Sequence, residues 1–393
     1  MKRLPLFLLF LSSLALWNLS GCKKTPPFPS KPGKVFKGTL MVRSLTDLHP
    51  FADSGYNVLD GNLIIDHVSG LKDLSAFSQL KTITGFVSIS NNPDLVSLHG
   101  LEKLRTIGHG LDIFQNNRLQ NTDALNGLNQ VHDISIYSNN GLTTIRLAGI
   151  TQLNRLDLSN NYQLKTIFGP EHLESLESLV ITLDTVLTEV TGFQQLKTIR
   201  KNLFFNLNFA VRNINWTSYL EEVGGWVSIS DNPFLTDLNG LKNLKKVGGK
   251  FILSRNASLS NINGLAQLQN VGTDFSISDN PLLSDINGLT RLRYVGRNFE
   301  ISFNANLENL KGLASLYEVG NTFQIFQNNK INRLDGLQNL HSVEKLEILH
   351  NENLFNYCSL KGLLIEGTVD TLSIEYNGTD PTREEIIKQP CGK

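Results

Sequence analysis

Residues 227–249 read Val227-Ser228-Ile229-Ser230-Asp231-Asn232-Pro233-Phe234-Leu235-Thr236-Asp237-Leu238-Asn239-Gly240-Leu241-Lys242-Asn243-Leu244-Lys245-Lys246-Val247-Gly248-Gly249, and Phe251 starts the same pattern again. The first four residues alternate apolar and small polar, as a short strand with one buried face does. Asn232 follows at a corner, then apolar residues three apart, then two glycines that turn the chain back by taking positive φ. Working outward, the first apolar position recurs at 63, 87, 111, 134, 156, 179, 203, 227, 251, 275, 299, 323, 346 and 372, mostly 24 residues apart. Such a period specifies a solenoid. One unit cannot bury its apolar face alone, so successive coils stack and their strands form a parallel ladder about 4.8 Å apart. The expected fold class is therefore mainly β: one elongated stack of about 14 coils, not the two or three domains that 393 residues would otherwise suggest.

The asparagine five places after the first apolar residue falls at Asn92, Asn116, Asn139, Asn161, Asn208, Asn232, Asn256, Asn280, Asn304, Asn328, Asn351 and Asn377, with Asp184 in its place once and Val68 in the first copy. Backbone groups leaving a strand ladder at a sharp corner need partners, and an inward amide both donates and accepts. These residues are expected to form a structural ladder through the stack.

The pattern L-x-I-x-x-N-x-x-L-x-x-L-x-G-L-x-x-L-x-x-V-G-G resembles the receptor L-domain repeat over roughly residues 59–377. The resemblance implies a right-handed single-strand β-helix related to leucine-rich repeats, and a habit of binding proteins; it transfers no ligand and no binding residue. Copies starting at 134, 156, 179 and 346 use a shorter, leucine-rich-repeat-like spacing, and the stretch between about 140 and 225 is irregular.

Ahead of the repeats, residues 1–21 run from Met1-Lys2-Arg3 through an apolar stretch too short to span a membrane comfortably, to small residues, the order of an export signal. Leu19-Ser20-Gly21-Cys22 resembles the lipobox of bacterial lipoproteins, which implies cleavage before Cys22 and lipidation of its thiol. Residues 22–38, rich in Lys and Pro, read as a tether, 39–58 as an N-terminal cap, 59–377 as the solenoid and 378–393 as a C-terminal cap. In an exported protein the remaining cysteines, Cys358 and Cys391, are expected to form a disulfide; two free thiols are the alternative.

The 36 basic and 36 acidic residues sum to zero, yet the positive charge is concentrated at the start, and the segment from Ser44 onward carries about −8. A nucleic-acid binder is disfavoured. No phosphate loop or histidine pair at metal spacing is present, so neither cofactor nor metal is expected. One cluster on adjacent coils holds Asp112 and Phe114, Asp133 and Tyr137, and Arg155 and Asp157; with the exposed Trp226 it forms the candidate binding face. Paired carboxylates beside an arginine also open an alternative, a carbohydrate-active enzyme, and a structural or adhesion role in the envelope is a third. Farther along the same face, Ser228, Ser230, Ser254, Ser276, Ser278 and Ser302 are expected to make a smooth hydroxyl surface. The leading expectation is a non-enzymatic lipoprotein of the outer membrane or cell surface, held to the membrane at Cys22, whose solenoid face binds a protein or glycan.

Overall fold

The computed structural model describes residues 33–391, so the leader, Cys22 and the tether as far as residue 32 lie outside the described residues. From Lys34 onward the chain is a solenoid. Its main face is one parallel ladder in which the expected first apolar positions pair in unbroken register: Leu63 with Val87, Val87 with Leu111, and so on through Phe323 with Leu346 and Leu346 with Leu372. In each strand the alternate apolar residues are buried and their neighbours lie toward the surface. Beyond the corner, residues such as Leu235, Leu238, Leu241, Leu244 and Val247 close the same apolar layer. Phe251, Phe275, Phe299 and Phe323 stack in the interior with centroids 4.9–5.0 Å apart, a column of rings at the coil spacing. Each such pair adds about 0.5–1.5 kcal/mol beyond area burial.

Two boundaries move. Leu40–Val42, assigned to a cap, pairs with Leu63 to Ile65 and is the first strand of the ladder. Val35–Lys37, assigned to the tether, pairs with Val58–Asp60. Phe36, Leu40 and Val42 supply the apolar side chains that continue the stack, and Phe36 packs on Phe51 and Tyr56. At the other end Lys361–Glu366 and Arg383–Lys388 are short helices. Cys358 and Cys391 form a disulfide with Cα atoms 5.8 Å apart, tying the second helix's trailing segment to the last coils; closing a loop of this length contributes about 3–4 kcal/mol on the chain-entropy estimate.

The corners work differently from the expectation. The glycines of the regular corners, Gly224, Gly225, Gly248, Gly249 and Gly272, do not take positive φ. Gly248 and Gly272 are required by closeness instead: a Cβ on Gly272 would run into the carbonyl of Gly248 one coil below, and one on Gly248 into that of Gly224. Positive φ belongs to the residue just before each ladder position, at 51–61° for His67, Asn91, Gln115, Ser138, Asn160, Leu183, Leu207, Asp231, Arg255, Asp279, Phe303, Gln327, His350 and Tyr376. For a non-glycine this costs about 1–2 kcal/mol, and the asparagine ladder offsets it. Asn280 is representative: its amide N–H donates to Asn304 Oδ1 at 3.2 Å, its Nδ2 donates to the carbonyls of Leu253 and Ser278 at 3.1 and 3.0 Å, and its Oδ1 accepts from Asn256 N at 3.1 Å. The row starts where Val68 N donates to Asn92 Oδ1 and stops where Asp380 accepts from the amides of Tyr376 and Asn377.

Candidate functional site

Register divides the expected cluster among three columns. Asp133 lies between Gly110 and Arg155 in the first. Asp112 and Asp157 share the second with Ser135 between them, two coil steps apart. Phe114 and Tyr137 are neighbours in the third and stack with centroids 4.9 Å apart and planes 3° from parallel. The alternation that aims these side chains outward comes from the buried partners Leu111, Ile113, Ile134, Ile136, Leu156 and Leu158.

Electrostatically the patch is acidic and half-buried. Burial pushes the Asp112 carboxyl above the usual range, the Asp133 charge adds to this, and the Ser135 hydroxyl opposes it. Burial also raises the Tyr137 phenol, helped by the charges of Asp112 and Asp157. Asp157 accepts from Ser159 Oγ at 2.7 Å, and Asp133 faces His132 Nδ1 at 3.3 Å. Arg155 is exposed and makes no ion pair among the described residues. Asp112, Asp133 and Asp157 lie on the flat of a sheet, and among the described residues no group of three or more His, Cys, Asp or Glu side chains is arranged to hold a metal ion.

Trp226 does not join this patch. It precedes the strand Val227–Ser230, at a corner three coils farther along, and is 54% exposed. Its indole lies over Gly249, where a Cβ would approach Cδ1 to 2.6 Å. The expected smooth hydroxyl surface is also partly closed. Ser230, Ser254 and Ser302 are buried, with Ser254 donating to Ser230 Oγ at 3.0 Å and Ser302 to Glu300 Oε1 at 2.6 Å.

A second aromatic group joins Phe326, which strand alternation already directs outward, to three corner residues that alternation does not reveal. Phe303, Phe326, His350 and Tyr376 form a chain of ring contacts at 5.1, 5.4 and 4.7 Å across the last four coils. Three of the four occupy the positive-φ corner. Lining up the residue before each ladder asparagine as one column would have found them. Phe326 stands in the same outward column as Phe114 and Tyr137, so aromatic groups flank the hydroxyl-bearing run from Ser159 to Ser302 at both ends.

Comparison with known proteins fits this architecture. Residues 57–168 match the family model described as Receptor L domain. Over those residues the fold is receptor-L-domain-like. No curated protein matches the sequence. Eighteen chains of solved structures match this chain in a structural comparison, among them a TLR13–ssRNA13 complex with 14% identity and a TM-score of 0.32, the match covering 85% of this chain and 56% of that one. This chain thus spans little more than half the length of that neighbour.

Proposed function

We propose that this protein is an exported, lipid-anchored binding protein of the cell envelope, in which the strand face of an L-domain-like solenoid engages a protein or glycan without catalysis. The observation carrying the binding reading is the outward column that sets Phe114 and Tyr137 at one end and Phe326, with Phe303, His350 and Tyr376, at the other. Aromatic rings supply large contact area at low entropic cost and anchor recognition surfaces, and a stack of coils presents them on a rigid support. Anchoring rests on the lipobox-like Leu19-Ser20-Gly21-Cys22. Among the described residues no helix is long and apolar enough to cross a membrane.

Metabolic labelling with a fatty-acid analogue tests the anchor: the wild type takes up label and Cys22→Ser does not, and equal labelling refutes it. For the face, proximity labelling in the native cell is compared between wild type and a Phe114→Ala/Tyr137→Ala variant. Loss of the principal neighbours supports this surface, and an unchanged set moves the contact elsewhere. A polysaccharide panel assayed with wild type and Asp157→Ala addresses catalysis, since turnover that vanishes in the variant would replace the binding reading with an enzymatic one.

A further inference from the structure

Away from the strand face, the corner of the last coils holds an open cleft of about 510 Å³, lined by Arg293, Tyr317, Gln338, Asn339, His341 and Glu366 among others. That size lies within the range of small-molecule sites. The flank carrying it is a column linked coil to coil by backbone hydrogen bonds, from Glu221 through Lys245, Gln269, Arg293 and Tyr317 to His341. Lower in the column each charge is neutralised, as where Lys245 meets Glu221 at 2.6 Å. Higher up the alternation stops: Arg293 stands between Gln269 and Tyr317 and makes no ion pair among the described residues. Above it the rings of Tyr317 and His341 stack at 5.1 Å, with Tyr317 52% exposed. The helix Lys361–Glu366 forms the remaining wall.

We infer that this cleft binds an acidic sugar, a hexuronate either free or as the end of a glycan chain. Arg293 supplies an uncommitted guanidinium for the carboxylate. Gln338 uses its Oε1 to accept from Gly336 N at 2.9 Å, which leaves its NH₂ as a donor. Asn339 uses its Nδ2 to donate to the Ala314 carbonyl at 2.7 Å, which leaves its oxygen as an acceptor. Glu366 is a second acceptor, and Tyr317 with His341 offers apolar ring surface. One cation, one donor, two acceptors and an aromatic edge match a ligand carrying one carboxylate and several hydroxyls. A bare anion would use only the arginine. Gly362 provides an independent handle, because a Cβ there meets nothing nearer than the Gln338 carbonyl at 3.5 Å. A side chain at 362 therefore fills the cleft without disturbing the coil.

The test is calorimetric titration of the full chain with glucuronate, glucose and acetate. Saturable binding of glucuronate is expected, with glucose and acetate each weaker by about tenfold or more. Arg293→Gln should erase the preference over glucose, and Gly362→Leu should abolish binding while the melting temperature holds. Acetate binding as tightly as glucuronate, no saturable glucuronate binding, or binding unchanged in Gly362→Leu each overturns the inference. Because these residues lie off the strand face, the result is independent of whether that face binds a partner.

Discussion

The coils from Val227 to Phe326 and those between about 140 and 225 share one ladder but turn their corners differently. In the first region Asn239–Leu241, Asn263–Leu265, Asn287–Leu289 and Lys311–Leu313 are 3-10 turns stacked on one another. Gly264, Gly288 and Gly312 let each turn press against a carbonyl of the coil below. In the second region that side of the coil carries strands instead, Thr144–Arg146, Thr166–Phe168 and Glu189–Thr191, joined in a small parallel sheet, and the 3-10 turn returns only at Asn215–Thr217. Thr144-Ile145 and Thr166-Ile167 are β-branched pairs that favour extended backbone, where the regular copies have Asp237-Leu238 and Asn261-Ile262 just before the turn. The exchange of turn for strand leaves the main face undisturbed, and its register runs straight through from Ile134 to Leu203.

The difference is open to mutation. Phe275→Ala, in the middle of the ring column, should cost about 4 kcal/mol, more than Leu179→Ala in the irregular region at about 3 kcal/mol. Denaturant melts of both compare them, and an equal or reversed order would remove the ring column as an added stabiliser. Gly264→Ala forces a Cβ into the Leu238 carbonyl and should cost about 2–3 kcal/mol. Gly110→Ala, whose nearest atom would be the Asp133 carbonyl at 3.8 Å, should be close to neutral.

Asp184 sharpens the comparison further, since the ladder changes chemistry only in the irregular region. It is fully buried; its Oδ1 accepts from Asn161 N at 2.8 Å, and its Oδ2 has no partner where every asparagine has a donor. Burial holds its carboxyl well above the usual range, against the Asn161 hydrogen bonds, and the charge of Asp157 adds to the rise. The folded chain keeps this proton where the unfolded chain, titrating near the ordinary value of about 3.9, has lost it. The site's contribution to stability is therefore complete below about pH 4 and declines as pH rises through the raised folded value. Asp184→Asn should raise the melting temperature, by more at about pH 8 than at about pH 5; an equal gain at both would mean that Asp184 does not titrate differently on folding. A small effect is expected at Arg255, whose two nitrogens meet Asp231 at 2.6 and 2.8 Å on the surface of the regular coils. Arg255→Ala should change stability by about 0.5 kcal/mol, reduced by salt.

Much of this was legible in the residues. The strand register, the asparagine row and the outward direction of Asp112, Phe114, Asp133, Tyr137, Arg155 and Asp157 follow from apolar spacing, because a stacked coil has few ways to bury its layer, and the disulfide follows from the two cysteines left after Cys22. The corner conformation was not, since apolar spacing carries no information about φ: Leu183 and Phe303 look like ordinary hydrophobic residues and turn out to be left-handed. The partition of the acidic cluster was hidden by the shorter copy at 134, which aligns Asp133 with Gly110 and Arg155, not with Asp112. Lys361-Gly362-Leu363 resembles the Asn-Gly-Leu of earlier copies, so the sequence does not mark the helix that walls the cleft.

The asparagine row has a start at Val68 and a stop at Asp380, and the asparagines of the regular region repeat the same handshake with the coils on either side. Nothing in that exchange depends on how many members stand between the two ends. Duplication of a 24-residue unit anywhere in the regular region would lengthen the body by about 4.8 Å and leave both termini correctly closed. The protein is in this sense a ruler whose length is adjustable in whole coils, able to change its reach without redesign of its ends.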